Sequence, residues 1–375
     1  MTVGSRQRKI GRLVAWRQLD RRIVVMHGCV NDSGRDGCHR DGECSQPRDQ
    51  LQGQPPAEYA ILVKPGGRMR HLGCSFFRMN HHSPILRIAI ACAVLAGGTA
   101  CSKLGLGGSP TTPTGPPAAG STIVYSAVGA SDVTGVGSSS ICLLNDCPDG
   151  TGYVQDAIRQ LRAQNFTVTV RNLGIPTAVI GPDFEALGQQ YNHTIVGNFI
   201  VQEMPFVQPN ATLVTIFAGV NEVNTVTAAL GGGAGGSDPN GYIDAQVRAF
   251  TADYVTLLNG IRDRAGAPRI IILNVPNAAG LPSLAGASPD QRSAAQRISV
   301  GMTRNSVNVL ASSSVSVVDL MCDARSYLPG NYSSDGLHPN DAGYAFIAGE
   351  VVRAVTTGSA YPTPQASCAA MTMVP

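Results

Sequence analysis

Residues 122–357 predict an α/β domain in which a mostly parallel sheet is covered by helices on both faces. Three observations lead there. Short apolar runs alternate with amphipathic helical segments, the pattern of strands joined by crossover helices. The run Thr212-Leu213-Val214-Thr215-Ile216-Phe217-Ala218-Gly219 is near-continuously apolar, as expected of a central parallel strand buried on both faces. The chain after Cys101 is rich in Gly, Ala, Val, Ser and Asn, a composition that suits a compact domain of this class.

The first strand is read over residues 122–129 and ends at Gly129. A turn, Ala130-Ser131-Asp132-Val133-Thr134-Gly135, follows it. Val154, Ile158 and Leu161 fall at i, i+4 and i+7 and predict an amphipathic helix over residues 152–161. Residues 167–170 form the second strand, which runs into Asn172-Leu173-Gly174-Ile175-Pro176-Thr177. Pro176 keeps that segment an irregular loop whose backbone N–H groups can face a site. The third strand, 212–219, leads into Asn221 and Glu222, and residues 231–241 read as a flexible Gly-rich loop.

Ile243, Val247, Phe250, Tyr254, Leu257 and Ile261 share one helical face. Residues 269–275 are the fourth strand. Ser288-Pro289-Asp290-Gln291 is a helix start, with Ser as cap, Pro in the first turn and Gln placed to reach back. Residues 315–320 form the fifth strand. After the loop Ser333-Ser334-Asp335-Gly336-Leu337-His338-Pro339, Asn340 caps a last helix with Tyr344, Ile347, Val351 and Val355 on one face.

The segment before this domain differs in character. Fourteen of the 28 Lys and Arg residues lie within residues 1–78, whereas the chain after Cys101 has 13 basic and 18 acidic side chains. The slight overall basicity therefore says nothing about the folded part. No Lys/Arg cluster interleaved with aromatics appears after residue 101, which argues against a nucleic-acid binder. Residues 1–78 show no sustained period of two or 3.6 and carry Cys29, Cys38, Cys44 and Cys74. No second ligand pair follows Cys38 and Cys44 at finger spacing, so no metal is expected. This stretch is read as a non-native extension, with translation starting at Met79 or Met69, or else as a disordered segment.

From Met79 the pattern is that of an export signal: a polar head, an apolar core over 88–96, and Gly97-Gly98-Thr99-Ala100-Cys101. The apolar core is too short to span a bilayer. Cys101 after small residues resembles a lipoprotein acylation box; Gly98 stands where an aliphatic is usual, so ordinary signal-peptidase cleavage is the alternative. Residues 102–121, rich in Gly, Pro and Thr, read as an extended spacer, and 358–375 as a tail. Export gives meaning to the four later cysteines. Two disulfides are expected, and Cys142–Cys147 with Cys322–Cys368 is the simplest of three pairings; free thiols are the alternative.

Ligands in parallel sheets bind beyond the carboxyl ends of the strands. Ser131, the 172–177 loop, Asn221 and the 335–338 loop each follow a strand, so four loops open onto one edge. Together they offer the parts of an acyl-transfer site. Ser131 can attack, His338 can take its proton, and Asp335 can hold the imidazole. The Ser131 N–H, the Asn221 amide and one further backbone N–H can bind an oxyanion.

Four blocks in this order, Gly129-Ala130-Ser131-Asp132, Asn172 to Thr177, Gly219-Val220-Asn221-Glu222 and Asp335-Gly336-Leu337-His338-Pro339, resemble the SGNH (GDSL-type) hydrolase family. The resemblance covers roughly residues 122–357. It implies a three-layer α/β/α sandwich with a five-stranded parallel sheet, flavodoxin-like, and esterase or lipase activity without metal or other cofactor. The family's nucleophile, acid and histidine fall on Ser131, Asp335 and His338, and its oxyanion asparagine on Asn221. Three positions depart from the pattern. Ala130 replaces the family's Asp, and Glu222 replaces the Asp after the oxyanion Asn. Thr177 stands where the oxyanion glycine is usual, with Gly174 the nearest glycine, and threonine does not easily adopt glycine-only backbone angles.

The expectation is thus an exported, lipid-anchored, monomeric serine hydrolase of carboxylic esters. Its substrate is a small-molecule, lipid or acylated-glycan ester, and it meets the membrane only through its anchor. A polysaccharide deacetylase, a lysophospholipase and an inactive surface binding module are the alternatives. Trp16 is the single tryptophan and lies in the N-terminal stretch, which excludes a tryptophan platform for sugar.

Overall fold

The computed structural model describes residues 113–143 and 145–374. The expected extension 1–78, the export segment 79–101 with Cys101, and the spacer as far as residue 112 lie outside the described residues. The domain is built on five strands: β1 (Thr122–Gly129), β2 (Thr167–Asn172), β3 (Leu213–Phe217), β4 (Arg269–Leu273) and β5 (Val315–Val318). All pair in parallel, in the order β2-β1-β3-β4-β5.

The helices are α1 (Ser131–Thr134), α2 (Tyr153–Ala163), α3 (Pro182–Gln190), α4 (Phe199–Gln202), α5 (Val220–Gly231), α6 (Pro239–Ala265), α7 (Pro289–Gly301) and α8 (Asp341–Thr357). Strand alternation sorts the core into two layers. Tyr125, Ala127, Leu213, Phe217, Ile271 and Leu273 pack against Val154, Ile158 and Leu161 of α2 and Tyr344, Ile347 and Val351 of α8. Val128, Val214, Ile216, Ile270 and Ile272 face the other way, against Val223 of α5, Phe250 and Leu257 of α6 and Ile298 of α7. The result is the three-layer α/β/α sandwich with the expected sheet.

Element ends moved by a few residues. Gly219 leaves β3 with a φ of 126°, and a Cβ there would sit 2.1 Å from Val275 Cγ2, so only glycine permits the exit into α5. The expected Gly-rich loop 231–241 shrinks to residues 232–238. Helix α5 carries on through Gly231 by burying Val223, Val226 and Ala229, and α6 starts early because Asp238 caps it ahead of Pro239. The Ser288–Gln291 capping box and the Asn340 cap form as read from sequence.

The described end of the expected spacer is not extended away from the domain. Ser359 N–H donates to Thr114 O at 2.7 Å, and the Arg269 guanidinium donates to Gly115 O. The tail is likewise part of the fold: Asn277 Nδ2 donates to Ala370 O, Gln296 pairs with the backbone of Val374, and Met371 is buried.

Cys142–Cys147 and Cys322–Cys368 are both disulfide-bonded. Their sequence separations, 5 and 46 residues, differ enough to rank them. By chain entropy the longer loop contributes about 4 kcal/mol and the shorter about 2 kcal/mol. Replacing Cys322 and Cys368 by Ala should therefore lower the denaturation midpoint clearly more than replacing Cys142 and Cys147, as urea unfolding would measure.

Candidate active site

Gly129, Phe217, Leu273 and Val318 are register partners across β1, β3, β4 and β5, so these four strands end in one row. Strand order reverses between β1 and β3, which is where a crevice opens in this topology. Ser131 lies two residues past the end of β1, and Asn221 four past the end of β3. Ser131 is 7% exposed.

Ser131 is the first residue of the single-turn helix α1, and Ala130 rather than Ser131 occupies the cap position. Its hydroxyl is therefore not used for capping. The Ser131 N–H is one of the first-turn amides that have no acceptor within the helix. Gly135 closes the turn in the left-handed region (φ 80°), and Val136 N–H returns to Ser131 O at 3.0 Å.

The histidine loop is folded on its own aspartate. Asp335 Oδ1 accepts from Ser333 Oγ (2.8 Å), Leu337 N (2.8 Å) and His338 N (2.9 Å), which leaves Oδ2 to meet His338 Nδ1 at 2.6 Å. Gly336, with a φ of 70°, makes this tight reversal possible. Partial burial raises the Asp335 carboxyl, but the bonds from His338, Leu337 and Ser333 outweigh it and hold the group well below the usual carboxylate range. On the far side of the ring, His338 Nε2 lies 2.8 Å from Ser131 Oγ. The structure thus brings Ser131, His338 and Asp335 into one hydrogen-bonded chain, from residues 207 apart in sequence.

Three ties set this meeting. A Cβ on Gly137 would lie 2.6 Å from both His338 Cβ and Pro339 O, so a glycine there lets the two loops close on each other. Ser139 donates through N and Oγ to Asp341, at 2.7 and 2.6 Å, and Tyr344 Oη donates to Val136 O at 2.7 Å.

The 172–177 loop packs against the serine turn from the β2 side. Ile175 N–H donates to Gly129 O, and Asn172 Nδ2 to Val133 O and Cys142 O. Gly174 fits there because a Cβ would lie within 3.0 Å of Val133, Ala130 and Thr134. Its N–H is taken by Asn172 Oδ1 at 3.1 Å. Thr177 has no such internal acceptor among the described residues. Contrary to the expectation for a β-branched residue, it adopts the left-handed conformation, with a φ of 69°. Asn221 sits in the first turn of α5 and not in an open loop, and its Nδ2 donates to Ala178 O at 2.8 Å. A carboxamide has two N–H donors, so one stays available to a ligand.

Two carboxyls beneath the site were not read as functional from sequence. Glu203, fully buried, accepts from Gly129 N at 2.8 Å, two residues before the serine. Its Oε1 has no partner among the described residues. Burial pushes its carboxyl well above the usual range, with the N–H groups of Gly129 and Ile175 pulling the other way. It enters from the connection after α4, and nothing in Val201-Gln202-Glu203-Met204 signals it. Glu222, noted only as a departure from the family pattern, is 1% exposed and accepts from Ile180 N at 2.5 Å. Burial raises it to about 7, against the opposing pull of the N–H groups of Glu222 itself, Ile180 and Gly219.

Two measurements check this account. The folded chain holds a proton on Glu222 that the unfolded chain releases, so its stabilisation is complete below about pH 4.5 and is lost as pH rises through about 7. Wild type should lose on the order of 3 kcal/mol more than Glu222→Gln between pH 4 and pH 8 in denaturant titrations. Left-handed backbone at a non-glycine residue costs on the order of 1–3 kcal/mol. Thr177→Gly should therefore raise stability by roughly 1 kcal/mol after glycine's own entropy cost, with the backbone donor retained.

A family model described as GDSL-like lipase/acylhydrolase matches residues 127–346. No curated protein sequence matches the chain. Among solved structures, the chain is similar to a lipase from a goat rumen metagenome, with 18% identity, 63% of this chain and 98% of that one covered, and a TM-score of 0.45. It is similar to an extracellular lipase from Streptomyces rimosus at 17% identity, covering 63% and 100%, with a TM-score of 0.40. A family 3 carbohydrate esterase from Clostridium thermocellum aligns at 16% identity over 63% and 99%, with a TM-score of 0.34. The family match runs from the end of β1 into α8, over more than half of the sequence and through every loop of the crevice: the chain belongs to the GDSL-like lipase/acylhydrolase family of ester-cleaving hydrolases.

Proposed function

We propose that the protein hydrolyses carboxylic esters through an acyl-enzyme formed on Ser131. The observation that carries this reading is the unbroken chain from Ser131 Oγ through His338 to Asp335, with links of 2.8 and 2.6 Å. Ser131 Oγ bonds to the ester carbonyl carbon while its proton passes to His338 Nε2. Asp335 accepts the hydrogen bond from Nδ1, which fixes the tautomer and stabilises the imidazolium that forms. The carbonyl oxygen becomes an oxyanion between the Ser131 N–H, the Asn221 amide and the Thr177 N–H. Collapse breaks the bond to the alcohol oxygen, which takes the proton from His338. Water, deprotonated by the same imidazole, then releases the acid and restores the serine.

The reading extends to location. Two disulfides suit an oxidising compartment, in line with export of the chain and attachment through Cys101. The substrate class is an ester of small-molecule, lipid or glycan origin.

Purified protein assayed with short-chain aryl esters should turn over. Ser131→Ala should reduce kcat by roughly 10⁴–10⁶-fold and abolish labelling by a serine-directed fluorophosphonate. Equal hydrolysis by wild type and variant would refute the proposal.

A further inference from the structure

The segment 178–180 continues directly from Thr177 and is buried throughout. It makes a single parallel bridge, Val179 to Asn198. Val179 N–H donates to Gly197 O and Val179 O accepts from Phe199 N, so the groups on one edge are met by the neighbouring chain. Among the described residues, no strand lies beside the opposite edge. Its buried polar groups, Ala178 O and Ile180 N, need partners nonetheless, because a buried and unsatisfied backbone group is destabilising. Both partners are side chains from the first turn of α5: Asn221 Nδ2 meets Ala178 O at 2.8 Å, and Glu222 Oε1 meets Ile180 N at 2.5 Å. Two consecutive residues of a helix thus stand in for a strand.

This arrangement ties two of the proposed oxyanion donors to each other. The Asn221 amide sits on one side of the clamp, and the Thr177 N–H sits one residue ahead of the segment it grips. Thr177 must also be held in a conformation that threonine disfavours, and neither Thr177 N–H nor its exposed side chain supplies that restraint. A longer acid at position 222 is suited to the task, since Asn221 already occupies Ala178 and only Ile180 remains to be reached.

We propose that Glu222 is a positioning residue of the oxyanion hole, whose bond to Ile180 N–H fixes the Thr177 N–H relative to the Asn221 amide. The proposal rests on the serine-esterase reading above. It assigns Glu222 no contact with substrate, so its loss acts on the transition state through donor placement and leaves ground-state binding largely alone.

The experiment compares Glu222→Met, which keeps length and apolar volume but removes the acceptor, with Glu222→Gln, which retains an oxygen for Ile180. Steady-state hydrolysis of an aryl ester is measured well below each variant's unfolding midpoint, alongside affinity for an aryl boronic acid that forms a tetrahedral adduct on serine. Glu222→Met should lower kcat by roughly 10–100-fold with KM within about twofold, and weaken the boronic acid by a similar factor. Glu222→Gln should stay within about threefold of wild type in kcat. Unchanged kcat in Glu222→Met, or a lowered kcat with undiminished boronic acid affinity, would overturn the proposal. So would equal losses in the Met and Gln variants. If Glu222→Met does not fold, amide exchange in wild type decides: the boronic acid should slow exchange at Thr177 and Ile180 together, and an unaffected Ile180 overturns the clamp. Wild-type protein that neither hydrolyses esters nor labels with fluorophosphonate would instead remove the esterase reading itself.

Discussion

Gly129, Phe217, Leu273 and Val318 lie side by side in neighbouring parallel strands, and the functional loops depart from or beside that row. Parallel pairing forces every connection to cross over a helix layer, so the C-terminal ends of all strands face one way. The order reversal between β1 and β3 then separates the loops at that edge and leaves room for a ligand. A one-residue slip of β1 against β3 would turn every side chain of one strand to the opposite helix layer, so core packing guards the geometry of the site. The chain of Ser131, His338 and Asp335 inherits its accuracy from apolar packing some distance below it.

Above that row the site is held by small residues and short polar ties. Gly137, Gly174 and Gly336 each allow a close approach that a Cβ would block. Ser139, Asp341 and Tyr344 join the serine loop to the start of α8, so Ser131 and His338 are braced against the same helix. Beneath them, Glu203 and Glu222 place buried carboxyls on Gly129 N and Ile180 N. The family's Asp before the serine is Ala130 here, and Glu203 meets the same strand end from a different part of the chain. Buried acids in such positions lend rigidity at the expense of desolvation, and both are driven toward the protonated form by burial.

Much of this was legible in the order of residues. Periodicity and caps located all five strands and the helices at 153–163, 239–265, 289–301 and 341–357, because each carries its own apolar spacing or a local signal such as the Ser288–Gln291 box. The spacing of Asp335 and His338 was informative for the same reason: the aspartate folds onto the very N–H groups that follow it, an interaction complete within four residues. Helix α5 was missed because its glycine-bounded start reads as a loop until Val223 and Val226 are seen to face a core.

What the sequence by itself determined is therefore most of the local structures and the identity of the chemical groups: five strands, four cysteines suited to two disulfides, a serine, a histidine–aspartate turn and an asparagine amide. Tertiary structure alone decided how they are supported. Thr177 takes a left-handed backbone that its own chemistry disfavours, and the residues just after it, Ala178 and Ile180, are gripped by side chains some forty residues further along the chain. Glu203 serves the serine turn from 74 residues beyond Gly129. The reason is physical: strain and buried polar groups are unfavourable locally and persist only when long-range contacts compensate for them, and such contacts leave no periodic trace in the sequence.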